Sequence, residues 1–552
     1  MKMSKYIKIS TLLLLAGITG CSKLNETYTS TLPYDQTVAA LGAKAPALLL
    51  SAAYNDIPGQ FVGQDQLFSL QENTTDESLV PTRGGDWDDN GVWRVVHNHS
   101  WNADHSQVLS VFNGLNVLQF DATNVLAFKP SKEQTAEARF LRAMALYHLL
   151  DLYDQYPFRP PNDTLINPAK VFRGEAAIDF IISELNAVLP DLDPLNPNTK
   201  ANQDAVKVLL MRCYLNKGAF LNRLAPTFAD ADMQQVITLG NQIISGGKYS
   251  YMPNYFGNFN RSNGSSTEII FGYPSPGSGG TTNNPGMQAR WMMTFHYNEY
   301  TGQAPNAGWN GFTTTSDFYN SFGTTGNPTT YGLADTLVDS RLGRRYNSDA
   351  VTTQLSGIRP GFLVGQQYAA DGTALKDRKG NGLIFEPQVA ETMIEIGNNL
   401  EVTGIRVAKY VPDFSTANGG SYYSSNPGNW LSIFRYPDVV LMVAEALKRQ
   451  ASPDDATALT MVNDLRAARG AAPLASMPFV GATVDDGNSL LAERGRELYW
   501  ESVRRTDLIR FKAFQMTWQY KPASGDDPKY VVFPIPNQAL AVNPNLIQNP
   551  GY

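Results

Sequence analysis

Cysteine is nearly absent from this 552-residue chain, with Cys21 and Cys213 the only two. Two thiols supply neither a disulfide framework nor a thiolate zinc site for a chain of this size, so sulfur does not hold the fold. Charge is sparse as well, at 17% of residues, which excludes a disordered polyampholyte and a coiled-coil rod. The 44 basic residues are outnumbered by 51 acidic ones, and the resulting formal charge of −7 repels a phosphate backbone on average. There are only five histidines, His97, His99, His105, His148 and His296. The spacing of the first three matches no usual metal pattern, and they read as polar loop residues. Familiar signatures are missing: no HExxH, no GxxxxGKS/T, no GxSxG and no glycine-rich dinucleotide fingerprint. Past the first twenty residues, no apolar run approaches the roughly 20 residues that a membrane-crossing helix needs.

What is present begins at the N-terminus. Lys2, Lys5 and Lys8 form a basic region, residues 9–18 an apolar one, and Gly20 precedes Cys21, the pattern of a secretory signal. The segment Ile18-Thr19-Gly20-Cys21 resembles the bacterial lipobox. That resemblance implies diacylglycerol on the Cys21 sulfur, cleavage before it, and anchoring by acyl chains worth ~0.8 kcal/mol per buried methylene. Residues 1–20 are therefore expected to be a lipoprotein signal peptide and 21–35 a lipidated tether. Loss of three lysines leaves 41 bases against 51 acids, a formal charge of −10. Cys213, in the helical run VKVLLMRCYLNKGAF, reads as an inert packing residue.

Residues 36–552 read as one domain in three stretches: N-terminal helical repeats (36–246), a loop-rich ligand region (247–430), and C-terminal helices with a strap (431–552). Apolar residues at helical spacing predict helices within 36–60 and over 106–126, 131–153, 176–189, 201–216, 232–244, 434–450, 454–469 and 490–514. In 131–153, Ser131 is placed as the N-cap, and Phe140, Met144, Tyr147 and Leu150 share a face. Small residues such as Ala138, Ala143 and Ala205 let successive helices approach closely. The fold class expected is mainly α: a tetratricopeptide-like scaffold with a large irregular insertion and few short strands. Glu493, Glu497 and Glu501 recur every fourth residue among arginines, as in a structural ion-pair face. Arg139 and Arg142 are expected to lock helices together through acids such as Glu445 or Asp438. Pro534, Pro536, Asn549 and Pro550 fix an extended strap over the core.

Ligand-binding candidates lie in the loops. Residues 74–102 concentrate Trp87, Trp93 and Trp101 among Asp76, Arg83, Asp86 and Asp88, with Gly84, Gly85 and Gly91 permitting tight turns. A sugar ring offers an apolar C–H face and a rim of hydroxyls. An indole covers the face, and flanking carboxylates and guanidinium groups bind the rim. The competing reading is that these tryptophans plug gaps beneath a long loop. A second aromatic block, 290–322, holds Tyr297, Tyr300, Trp309 and Asn310, the last two in a turn that presents a flat ring beside an amide. Arg406 and Asp56 are weaker candidates. A glycosidase pair needs two carboxyls about 5 to 9.5 Å apart across a cleft, which a sequence does not display.

Four segments in order carry a family resemblance: EARFLRAMALYHLLDLYDQYPF (137–158), FRYPDVVLMVAEAL (434–447), LAERGRELYWESVRRTDLIRF (491–511) and FPIPNQALAVNPNLIQNPGY (533–552). Together with the lipobox they resemble the SusD/RagB family of outer-membrane lipoproteins. The resemblance implies a cell-surface, lipid-anchored protein that captures oligosaccharides, performs no chemistry and partners a SusC-like TonB-dependent transporter; no cofactor is expected and no metal-ligating residues are named. The acidic, aromatic-rich composition suits a neutral sugar, and PTRGGDW resembles members serving fructan or mannan-type loci. A peptide-binding receptor of a similar importer and a surface glycosidase stay open as alternatives.

Overall fold

Three of the long helices start at side chains that engage backbone N–H groups. Ser131 Oγ accepts from the Gln134 N–H at 3.2 Å while Gln134 Oε1 accepts from the Ser131 N–H at 3.0 Å, a capping box opening the helix Lys132–Tyr153. Asn202 and Asp454 cap Gln203–Leu221 and Asp455–Ala468 with one side-chain bond each, accepting from the Ala205 and Thr457 N–H groups. The computed structural model describes residues 42–163, 166–260, 263–274, 287, 289–299, 308–323, 339–343, 360–369, 373–397, 400–410 and 429–552. The expected signal, the tether, the lipidation site Cys21 and the candidate Tyr300 lie outside the described residues.

The helical frame consists of α1 (Ala45–Asn55), α2 (Ser106–Ala127), α3 (Lys132–Tyr153), α4 (Gly174–Val188), α5 (Gln203–Leu221), α6 (Asp230–Ser245), α7 (Tyr436–Arg449) and α8 (Asp455–Ala468). Each packs against the next, a tetratricopeptide-like succession. Ala138, Ala143 and Ala205 are buried at these crossings. In place of the single apolar face expected of it, α3 is buried on all sides from Ala136 to Tyr153 except at Arg139. Within it, Asp151 Oδ2 accepts from Gln71 Nε2 at 2.7 Å and Thr506 Oγ1 at 2.8 Å. Burial pushes the Cys213 thiol in α5 well up, which keeps it protonated and unreactive.

The step from α6 to α7 skips the whole insertion. A Cβ at Gly240 of α6 would lie 2.2 Å from Val443 Cγ2 of α7, so glycine permits that crossing. The insertion's ends are brought together by β4 (Ile269–Tyr273) pairing antiparallel with β10 (Leu431–Arg435), which runs directly into α7. The remaining described ladders also have two strands each: β1 (Thr82–Arg83) with β8 (Ile394–Glu395), β2 (Gln155–Phe158) with β3 (Lys170–Arg173), β5 (Gly361–Leu363) with β9 (Arg406–Ala408), and β6 (Gly365–Gln366) with β7 (Ile384–Phe385). One continuous hydrophobic cluster runs through all three stretches of the chain, from Leu50 to Leu546. The C-terminal strap covers that core: Phe533 N–H donates to Leu152 O at 2.8 Å, and Asn549 Nδ2 donates to Tyr153 O at 3.0 Å.

The region expected as one helix over 490–514 is two, α9 (Leu490–Leu498) and α10 (Arg504–Arg510). Trp500 and Ser502 adopt positive φ, 58° and 63°, between them. The break is driven by buried acids. Trp500 N–H donates to Glu77 at 3.3 Å, Ser502 N–H donates to Glu72, and Arg504 binds both oxygens of Asp76 at 2.8 and 2.6 Å. The glutamates of α9 form the expected ion pairs, at the centre of a buried network. Arg341 reaches Glu493 at 2.8 Å; Arg435 reaches Glu497 at 3.0 Å and Glu268 at 2.7 Å; Arg469 reaches Glu268 and Glu497 at 2.8 Å each. The network welds insertion residues Glu268 and Arg341 to the C-terminal helices. Arg139 and Arg142 pair with Glu184 of α4, because Asp438 is already claimed by Arg212 and Arg494, and Glu445 by Arg449 and Arg510. The five histidines are buried rather than exposed in loops; His99, for instance, stacks on Phe514 with centroids 4.7 Å apart. No group of three or more His, Cys, Asp or Glu among the described residues is placed to hold a metal ion. Nor is any described helix long and apolar enough to cross a membrane.

Candidate functional site

Residues 82–91 form a tight loop anchored by β1 on β8, with Arg83 and Asp86 exchanging backbone hydrogen bonds at 2.9 and 3.2 Å. The loop forces Trp87 to a φ of 61°, an outlier for a bulky side chain, which structures tolerate chiefly where function or surrounding contacts demand it. Those contacts are present. Trp87 Nε1 donates to Trp309 O at 2.7 Å, and the indole meets Trp93 and Phe312 edge-on at 5.3 and 5.5 Å. Gly311 makes room, since a Cβ there would lie 2.3 Å from Trp87 Cε2. Trp87 and Trp309 are half-buried.

Tyr297 joins them through the same loop: its hydroxyl donates to Asp86 Oδ2. Burial, then Asp86, pushes the phenol well above its ordinary pKa, so it remains a donor. Over the Tyr297 ring lies the Arg378 guanidinium, 3.8 Å from the centroid, with Nε donating to Glu401 Oε1 at 2.7 Å. Glu401 also bonds His296 Nε2 at 3.0 Å. Burial and Arg406 lower His296 to about 4, so it is neutral; Nδ1 accepts from the Asn298 N–H at 3.0 Å, which leaves the proton on Nε2. Burial pushes Glu401 up, but the Arg378 bonds outweigh it and hold the carboxyl below its usual range. Half-buried Trp87, Tyr297 and Trp309, linked through the Trp309 carbonyl and the Asp86 carboxylate, thus adjoin an exposed carboxylate at Asp86 and an exposed guanidinium at Arg378 in one surface patch. Asp88 borders it, half-exposed and paired with Arg94 at 2.9 Å.

The other expected residues do not reach this surface. Arg83 is 1% exposed, its guanidinium spent on Leu400 O, Thr403 Oγ1 and Thr403 O at 2.6–2.7 Å. Asn310 and Arg406 are fully buried and bonded to each other at 2.8 Å. These three staple residues 400–404 through carbonyl and hydroxyl bonds. Asp76 is fully buried and belongs to the Arg504 pair. Asp56, at the C-cap of α1, faces Asp121 of α2; burial and that like charge raise it to about 7. Trp93 and Trp101 are buried, Trp101 donating to the Tyr552 hydroxyl at 2.7 Å. Sequence reading missed Arg378 and Glu401, for which the turn composition Asp377-Arg378-Lys379-Gly380-Asn381 was the only available signal. A hollow of ≈ 1050 Å³ lies elsewhere, walled by residues including Phe112, Phe120, Phe158, Val542 and Leu546, and contains none of the expected site residues.

The SusD family model matches residues 267–552, just over half of the chain. The starch-binding protein SusD of Bacteroides thetaiotaomicron is 25% identical over 523 residues, covering 90% of this chain and 88% of that protein. Among solved structures, a SusD superfamily protein from Parabacteroides distasonis superposes with a TM-score of 0.65 at 16% identity, over 95% of this chain and 100% of the other. A laminarin binding SusD-like protein gives 0.62 at 20% identity, over 92% and 99%. A frame of sequentially packed helices carrying a loop-rich insertion, the four ordered segments and these matches converge, and the chain belongs to the SusD family.

Proposed function

We propose that this protein is a cell-surface glycan-binding lipoprotein that captures oligosaccharides on the platform of Trp87, Tyr297 and Trp309 and delivers them to a partner TonB-dependent outer-membrane transporter. The observation that carries the reading is the held indole: a strained backbone, a hydrogen bond to Trp309 O and a glycine-made slot fix Trp87 while leaving part of it in solvent. Fixing a ring before the ligand arrives removes an ordering cost from binding. Asp86 supplies an acceptor and Arg378 donors for hydroxyls at the ring edges. Binding proceeds without chemistry. Glu401 is held ionised between Arg378 and His296 and is a poor proton donor. The names of two similar proteins, one starch-binding and one laminarin binding, support a glycan as the ligand class.

The test is a glycan array followed by calorimetry. The folded protein is expected to bind a neutral oligosaccharide, and Trp87→Ala to abolish binding with the circular dichroism spectrum unchanged. Equal affinity in the variant would remove Trp87 from the site. No glycan hits, together with co-purification of a peptide-importing transporter, would favour the peptide-receptor reading. New reducing ends after incubation with polysaccharide would favour the glycosidase.

A further inference from the structure

Arg378 sits on a tight hairpin in which Lys376 bridges Gly382 and the Asp377 carboxylate accepts from the Lys379 and Asn381 N–H groups at 2.9 and 2.8 Å. An arginine with 45% of its side chain exposed ordinarily samples many rotamers, and fixing it costs up to about 2 kcal/mol. Here the fold has already fixed it. The guanidinium lies flat enough on Tyr297 to sit 3.8 Å from the ring centroid, Nε is bonded to Glu401 at 2.7 Å, and the Arg378 N–H donates to the other Glu401 oxygen at 3.2 Å. Glu401 itself is 5% exposed and held by His296. Nη1 has no hydrogen-bond partner among the described residues, and Nη2 is 3.8 Å from Asp86 Oδ2, beyond hydrogen-bond reach. A pre-positioned pair of N–H donors therefore stands beside an aromatic ring and a carboxylate acceptor.

We propose that Arg378 is a ligand-contacting residue that selects neutral sugars presenting two adjacent free hydroxyls. Nη1 and Nη2 each donate to one oxygen of the pair, in the fork geometry that lysine lacks, and Asp86 accepts from a hydroxyl. The inference rests on the platform reading above. Charge excludes the obvious rival, an anionic sugar. The guanidinium is already balanced by Glu401, and the Asp86 carboxylate stands 3.8 Å from Nη2, so a uronate or sulfate reaching the fork would meet a like charge beside it.

Linkage chemistry provides the test. Internal residues of 1,4- and 1,6-linked hexose chains carry adjacent free hydroxyls; those of 1,3-linked chains do not. Calorimetry with 1,3-, 1,4- and 1,6-linked gluco-, manno- and galacto-oligosaccharides, fructo-oligosaccharides and oligogalacturonides is expected to give binding only among neutral chains with adjacent hydroxyls. Arg378→Gln should weaken that binding roughly tenfold, the loss of a charged hydrogen bond, and Arg378→Lys should not restore it. Preferred binding of 1,3-linked chains or oligogalacturonides, or an unchanged affinity in Arg378→Gln, overturns the inference. In that last case a loss of binding in Trp87→Ala leaves the platform reading standing, whereas unchanged binding in both variants removes the platform as well.

Discussion

Gly311→Ala tests the platform without touching any residue proposed to contact ligand. Glycine at 311 has no positive φ, so alanine imposes no backbone strain there. Its new methyl, however, would lie 2.3, 2.5 and 2.8 Å from Cε2, Cζ2 and Cδ2 of Trp87, and the indole must move about 1 Å to restore ordinary contact. That shift breaks or lengthens the Nε1–Trp309 O bond, worth about 0.5–1.5 kcal/mol, and loosens two edge-on aromatic pairs of about 0.5–1.5 kcal/mol each. Relaxation recovers part of this, and the net loss of stability is about 1–3 kcal/mol, as for other overpacked sites. Loss of a central tryptophan anchor costs about 2 kcal/mol of binding, which raises Kd roughly thirtyfold. Differential scanning calorimetry and titration calorimetry with the best array glycan measure the two effects separately. A variant that is destabilised as expected yet binds with native affinity would refute the claim that Trp87 carries the ligand. One that is neither destabilised nor weakened would refute the packing around the indole.

Two predictions concern the buried charges. Glu497→Gln leaves Arg435 and Arg469 short of a counter-charge in the core and should cost about 3–5 kcal/mol, read as a lowered urea midpoint; a shift below about 1 kcal/mol would mean that the network is solvated. The pH dependence has two limbs of opposite sign. Burial pushes Glu445 and Glu497 up, but their arginines outweigh it and hold each at about 2, so their contribution is complete above about pH 4.3 and is lost as pH falls through 2. Burial raises Glu72 to about 8, so its contribution is complete below about pH 4.3 and is lost as pH rises through 8. Melting temperature should therefore rise from pH 2 to near 4.5 and drift down toward pH 8, and Glu72→Gln should flatten the second limb; an unchanged downward drift in that variant would exonerate Glu72.

The frame was legible in the sequence because amphipathic period and caps are local. Ser131 and Asp454 marked their helix starts, and the expected helices over 106–126, 131–153 and 454–469 differ from the observed ones by one residue at each end or less. The break at Trp500 and Ser502 was hidden because its cause, Glu72 and Glu77, lies more than 400 residues away in the chain. The same physics sorted the candidate site. Trp87 meets the Trp309 carbonyl and Tyr297 joins the same loop through Asp86, yet Arg83, Asn310 and Arg406 are indistinguishable in composition from ligand contacts until their carbonyl partners are known. Arg378 could not be placed at all, since a cation in a glycine turn gains meaning only from the ring beneath it.

The pairing of β4 with β10 bears on how such a protein acquires new ligands. Because the two strands close the insertion at its base, changes in the length of the intervening chain are felt at the helical frame mainly as loop-closure entropy. That entropy grows slowly: doubling a loop costs about 0.6 kcal/mol. Selection can therefore lengthen or shorten exposed hairpins such as that of Arg378 at little expense to folding, whereas the segments of Tyr297 and Trp309 are tied into the core by Phe295 and Phe312. Specificity in this architecture is free to drift while the scaffold stands still.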